Sequence, residues 1–108
     1  MVQRKDIDKY LPLSESTCYI MLALVEPAHG YAIMQEVEAI SEGTVKLGPG
    51  TLYGVLATLE KEELIQKTKE EDRRKVYAMT PIGKQVLAAQ IERLEIMTRC
   101  GLNALKRL

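Results

Sequence analysis

Apolar residues recur along this chain in three helical stripes, one alternating segment and a long closing stripe. Residues 14–26 are apolar on nearly every side, from Cys18 through Val25. The pattern predicts a central helix buried on more than one face, capped by Ser14, with Glu15 in its first turn and Pro27 as its stop. Ile33, Met34, Val37 and Ile40 make one stripe, predicting a second helix over 30–41 that stops at Gly43. Residues 44–47 are long enough for a single bridge of sheet. Leu52, Val55, Leu56 and Leu59 fall at i, i+3, i+4 and i+7, and Pro49 suits a first turn, so a third helix is expected over 50–62.

The period then changes. Residues 64–69 and 74–80 tolerate strand and flank a polar tip, Glu70-Glu71-Asp72-Arg73, which predicts an antiparallel hairpin with Tyr77 and Met79 toward the core. Thr80-Pro81 is a helix start. From there Leu87, Ile91, Leu94, Thr98, Gly101, Leu105 and Leu108 alternate at four and three, an imperfect heptad seam. A helix over 81–108 would be about 40 Å long, and its stripe needs cover. The same helix of a second chain would supply it; folding back on the first helix is the alternative. The division is therefore a flexible N-terminal segment over 1–12, a globular unit over 13–80 and a dimerisation helix over 81–108.

The 108 residues suffice for one domain. With five Tyr and neither Phe nor Trp, the core must be aliphatic. Fifteen basic and fifteen acidic residues cancel, which argues against binding a polyanion through bulk charge and makes local charge placement decisive. The first ten residues have no apolar run of a signal peptide, and the apolar run at 18–25 is far shorter than the ~20 residues of a membrane span, so a cytoplasmic protein without membrane contact is expected. Cys18 and Cys100 lie far apart and read as inert buried thiols. His29, the single histidine, has no partners at ligand spacing and reads as a turn or helix-start residue. No catalytic site, metal or cofactor is expected.

Three helices followed by a hairpin and a long helix make a mainly α fold, the winged helix-turn-helix. Residues 30–41 would be its support helix, 50–62 its recognition helix and 64–80 its two-stranded wing. The outer face of the third helix carries Gly50, Gly54, Ala57 and Lys61, flanked by Thr51, Tyr53 and Thr58, where a solvated face usually carries long charged chains. In a major groove about 12 Å wide, small residues would let the backbone approach the bases, with hydroxyls for contacts and Lys61 for a phosphate. Close packing against another helix is the alternative. Arg73-Arg74-Lys75, with Lys67 and Lys69 on the partner strand, form a local basic patch on a neutral chain. The acidic tip points to contact by the wing's flank, not by its end.

"LPLSESTCYIMLALVEPAHGYAIMQEVEAIS", "VKLGPGTLYGVLATLE" and "RRKVYAMTPIGKQVL" closely resemble the PadR-like transcriptional regulators over about residues 11–90. The ordered set "HGY", "GPGTLYG" and "RRK-Y-T-G" carries the resemblance, and the single helix after the wing is similar to the short subfamily. The resemblance implies a homodimeric, sequence-specific repressor of a pseudo-palindromic double-stranded DNA operator, released by a small-molecule effector. It also implies a C-terminal dimer arm and DNA-facing positions at Thr51, Tyr53, the third helix's N-terminus, Arg73, Arg74 and Lys75. The chain departs from the family pattern in Ala57 and Thr58 where cations are common, in Glu63 where glycine usually ends the helix, and in its acidic wing tip. A winged helix that docks on protein instead of DNA is the second reading, favoured by net neutrality.

Overall fold

Ser14 caps its helix as its sequence position suggests, its Oγ accepting the Thr17 N–H at 3.1 Å. The computed structural model describes residues 3–108. It runs α1 (Arg4–Asp8), α2 (Glu15–Leu22), β1 (Ala28–His29), α3 (Gly30–Ile40), α4 (Pro49–Lys61), β2 (Ile65–Glu71), β3 (Arg74–Met79) and α5 (Pro81–Leu105). The fold is mainly helical, with one small antiparallel sheet ordered β1-β3-β2.

Aliphatic side chains from every major element meet in one core: Ile20, Met21 and Leu24 after and within α2, Ile33 and Val37 from α3, Leu52, Leu56 and Leu59 from α4, Val86 from α5. Tyr77 and Met79 join it from β3, as the alternation predicts; Val76 is buried too, beneath the β1 pairing. Burial keeps the Tyr77 phenol above its ordinary pKa, with Glu60 and Tyr53 adding to the shift, so it stays protonated.

Several expectations need correction. The segment 1–12, expected to be loose, contains α1, whose Ile7 is buried in the core; Met1 and Val2 lie outside the described residues. Gln90 on α5 holds the following stretch, accepting the Leu13 N–H at 2.9 Å. The helix at 14–26 ends at Leu22, and its last residues form a tighter turn. Residues 44–47 make no strand. Buried Ser41 takes the Val45 N–H on its Oγ at 3.0 Å, and Thr44 bonds back to the Ser41 carbonyl, so the backbone there is already satisfied. The third strand is instead Ala28–His29, paired with Tyr77 and Val76. Cys18 is buried, which raises its thiol pKa, but Cys100 is exposed on α5.

Glu63 was the residue least suited to end α4, yet it adopts φ +63°. Leu64 N–H returns to the Leu59 carbonyl and Glu63 N–H to that of Glu60, a complete Schellman motif with Leu59 and Leu64 both buried. The Thr80 hydroxyl donates to the Glu63 carbonyl at 2.7 Å while the Thr80 N–H takes the Leu64 carbonyl. Tertiary bonds thus hold a non-glycine residue in the left-handed region.

α5 has two halves of different character. Leu87 is buried in the protomer's own core and Ile91 packs against it, so these two do not belong to a free seam as the heptad pattern suggests. The first half packs on α1, α2 and β3. From Leu94 onward, Met97, Thr98, Gly101, Leu102 and Leu105 are exposed, and the helix draws the molecule out to 54 Å in its longest dimension.

Candidate nucleic-acid interface

α4 buries Leu52, Leu56 and Leu59, packs Val55 partly against the same core and turns its remaining residues outward. Gly50, Thr51, Tyr53, Gly54, Thr58 and Lys61 are all exposed. A Cβ built at Gly50 or Gly54 would meet nothing within 4 Å, so within this chain neither glycine is needed for helix packing. The Thr58 hydroxyl donates to the Gly54 carbonyl at 3.2 Å, which leaves its oxygen free to accept from outside. Beside this face runs an open groove of about 520 Å³, whose far wall is Tyr10, from the segment after α1, with Ser14 and Thr17 at the start of α2.

Tyr53 leans the other way. A Cβ at Gly30 would fall 2.7 Å from Tyr53 Cζ, so the ring lies directly over the first turn of α3 and would have to move if Gly30 carried a side chain. About half of Tyr53 remains exposed. The packing ties the orientation of α4 to the start of α3.

The wing is tighter than its sequence suggests. Its tip is the two-residue loop Asp72-Arg73, both with positive φ (+48° and +66°), as in the type I′ turn that suits a twisted hairpin. A bulge falls between Lys67 and Lys69. Lys69 pairs with Glu71, whose carboxyl is held below the usual range by that hydrogen bond and charge, so Lys69 is drawn out of the basic patch. Arg73, Arg74 and Lys75 remain exposed and together with His29, Tyr31, Tyr53 and Tyr77 line a second cleft, of about 420 Å³.

The fold therefore brings the wing cations to the Tyr53 edge of α4, while Gly50, Gly54 and Thr58 face the groove beside α2. Sequence reasoning left Tyr31 and His29 out of the site. His29 is the N-cap of α3, its Nδ1 accepting the Ala32 N–H at 3.3 Å, and its Nε2 lies 3.4 Å from Arg74 Nη1. The signal was present in "HGY", but a histidine before a helix gives no hint of which strand it will meet. Among the described residues, no cluster of three His, Cys, Asp or Glu side chains could hold a metal, and no helix is long and apolar enough to cross a membrane.

Comparisons with known proteins agree with this architecture. The model of the transcriptional regulator PadR-like family matches residues 11–89, well over half of the chain. A 37.1 kDa protein of transposon TN4556 from Streptomyces fradiae is 37% identical over 75 residues, 68% of this chain and 21% of that protein. The transcriptional regulator YqjI of Escherichia coli is 31% identical over 72 residues, 67% of this chain and 35% of its own length. The chain thus spans about a fifth and about a third of these two relatives. A PadR family transcription regulator from Clostridium difficile superposes with a TM-score of 0.73 at 21% identity, over 85% of this chain and 99% of that one, a likeness of fold. With the family model covering both the helix-turn-helix and the wing, the chain belongs to the PadR-like family of transcriptional regulators.

Proposed function

We propose that this regulator is a homodimeric repressor that reads a pseudo-palindromic operator in double-stranded DNA and is released by a small molecule. The observation that carries the DNA reading is the open small-residue face of α4, whose Gly50 and Gly54 have empty space before them, together with three exposed wing cations at the Tyr53 edge of the same helix. Small residues permit close approach to base edges, and Arg73, Arg74 and Lys75 suit the adjacent phosphates. Thr51, Tyr53 and Thr58 supply the hydroxyls and Lys61 a further phosphate contact.

Salt titration tests it. A DNA reader loses affinity linearly in log salt, by about 0.9 per phosphate neutralised. Arg73→Ala and Arg74→Ala are each expected to weaken binding to every duplex, flatten that slope by about one phosphate's worth and leave operator preference nearly unchanged. Wild-type affinity in both variants would remove the wing from the interface. A chain that binds no duplex even at low salt, yet captures a protein partner, would favour the adaptor reading that the neutral net charge supports.

The dimer rests on the second half of α5. Leu94, Met97 and Leu105 are exposed, together with Thr98 and Gly101, on a helix that outruns its own domain. Leu94 and Met97 also edge an apolar groove of about 390 Å³ with Tyr19 and Leu22 of α2. This groove suits an apolar effector whose binding would shift the arm against the DNA-binding unit. Leu94→Asp places two like charges at a desolvated seam and should yield a folded monomer by sedimentation. A variant that still sediments as a dimer would place the interface elsewhere. A cytoplasmic site of action accompanies the proposal.

A further inference from the structure

The two ring nitrogens of His29, the single histidine of the chain, are differently employed. Nδ1 meets the Ala32 N–H. A backbone N–H can only donate, so Nδ1 is the acceptor and the neutral ring carries its proton on Nε2. Nε2 lies 3.4 Å from Arg74 Nη1, and a guanidinium also can only donate. The two groups therefore face one another as donors, and neither satisfies the other. Register explains the meeting: His29 stands across from Val76, and Arg74 is two residues along β3 on the same face. An anionic oxygen within reach of both groups would satisfy the two donors at once.

The surroundings fit. Tyr31, Tyr53, Arg73 and Lys75 complete the cleft, and no carboxylate among the described residues lines it. Glu71, opposite Arg74 across the hairpin, lies within Coulombic reach of His29 but is paired foremost with Lys69. We propose that His29 and Arg74 together grip one oxygen of a DNA backbone phosphate, so that the wing and the first turn of α3 are fixed to the same point on the duplex. The inference rests on the DNA-binding reading above and assigns His29 a contact in addition to its cap.

His29→Asn separates the two roles. Asparagine is among the best N-caps, but its side chain has no second ring nitrogen to present toward Arg74. The variant is expected to melt with the wild type and to bind duplex DNA about tenfold more weakly, the loss of one hydrogen bond to a charged group. Its salt slope should be unchanged, because a neutral donor displaces no counterion, whereas Arg74→Ala flattens the slope. Losses in the double variant should fall short of additive. Nitrogen-15 spectra of the single imidazole should show the proton on Nε2 and a shift of that signal when duplex is added.

A proton on Nδ1, or wild-type affinity in His29→Asn, overturns the inference. If Arg73→Ala still weakens binding in that case, the DNA reading stands without it. Titration with inorganic phosphate separates the sources of the anion: a full ring shift with free phosphate and none with duplex would assign the donor pair to a small anion and overturn the proposal. Failure of the wild type to bind any duplex would overturn both readings together.

Discussion

Gly54→Arg is expected to weaken operator binding by more than an order of magnitude, although it adds a cation to the face proposed to meet DNA. An electrostatic account predicts the opposite. The groove account predicts the loss because an arginine at Gly54 would hold the α4 backbone away from the bases and disturb contacts by Thr51, Tyr53 and Thr58. Two or three base contacts at ~1–3 kcal/mol each outweigh one added surface charge worth roughly 0–1 kcal/mol. The substitution is a clean probe. A Cβ at Gly54 meets nothing within 4 Å, and arginine is a better helix former than glycine, so circular dichroism and melting should show an intact fold. Gly54→Ala, which adds a single methyl, should lose far less. A folded Gly54→Arg protein that binds its operator more tightly than wild type would refute the groove account and make the small face an accident of composition.

Gly83→Ala is expected to produce the largest loss of stability among single-methyl changes in this chain. Gly83 sits in the first turn of α5, directly against the backbone of Leu64. An added Cβ would overlap the Leu64 carbonyl oxygen and lie 2.9 Å from its carbon. The same carbonyl accepts the Thr80 N–H at 3.1 Å, and Thr80 Oγ1 caps α5 by accepting the Gly83 N–H at 3.0 Å. Neither partner is a flexible side chain that could swing aside. The gain in helix propensity, at most ~1 kcal/mol, opposes an overpacking cost of about 1–3 kcal/mol or more. The net should lower the melting temperature by several degrees, at about 4–8 °C per kcal/mol for a domain of this size. Because Leu64 begins the wing and Glu63 ends α4, the variant should also bind DNA more weakly than its remaining folded fraction explains. Equal melting temperatures for variant and wild type would show that the joint yields more easily than its geometry implies.

Helix stripes were legible in the sequence because each rests on a local period. Leu52, Leu56 and Leu59 mark the buried side of α4 wherever that helix docks, and Ser14 and Thr80 announce helix starts through their own hydroxyls. The hairpin was equally local, with alternation in β3 and polar residues at its tip. The family signature in "HGY" and "GPGTLYG" belongs to the same level, and so does the open face of α4, since residue size and spacing on a helix are readable without coordinates. What escaped were features made by residues distant along the chain. A two-residue strand such as Ala28–His29 has no period, so only its pairing with Tyr77 and Val76 creates it. Glu63 takes a left-handed conformation because Thr80 and the Leu59–Leu64 contact hold it there, against its intrinsic preference. Leu87 satisfies a heptad and a core with the same apolar surface, and docking alone decides which claims it. The fate of Tyr53 and of the His29 ring was settled in the same way, by Gly30 and by Arg74. Local periodicity determined the elements and the face they offer; long-range pairing decided which donors stand together, because hydrogen-bond partners are chosen by distance in space and not along the chain.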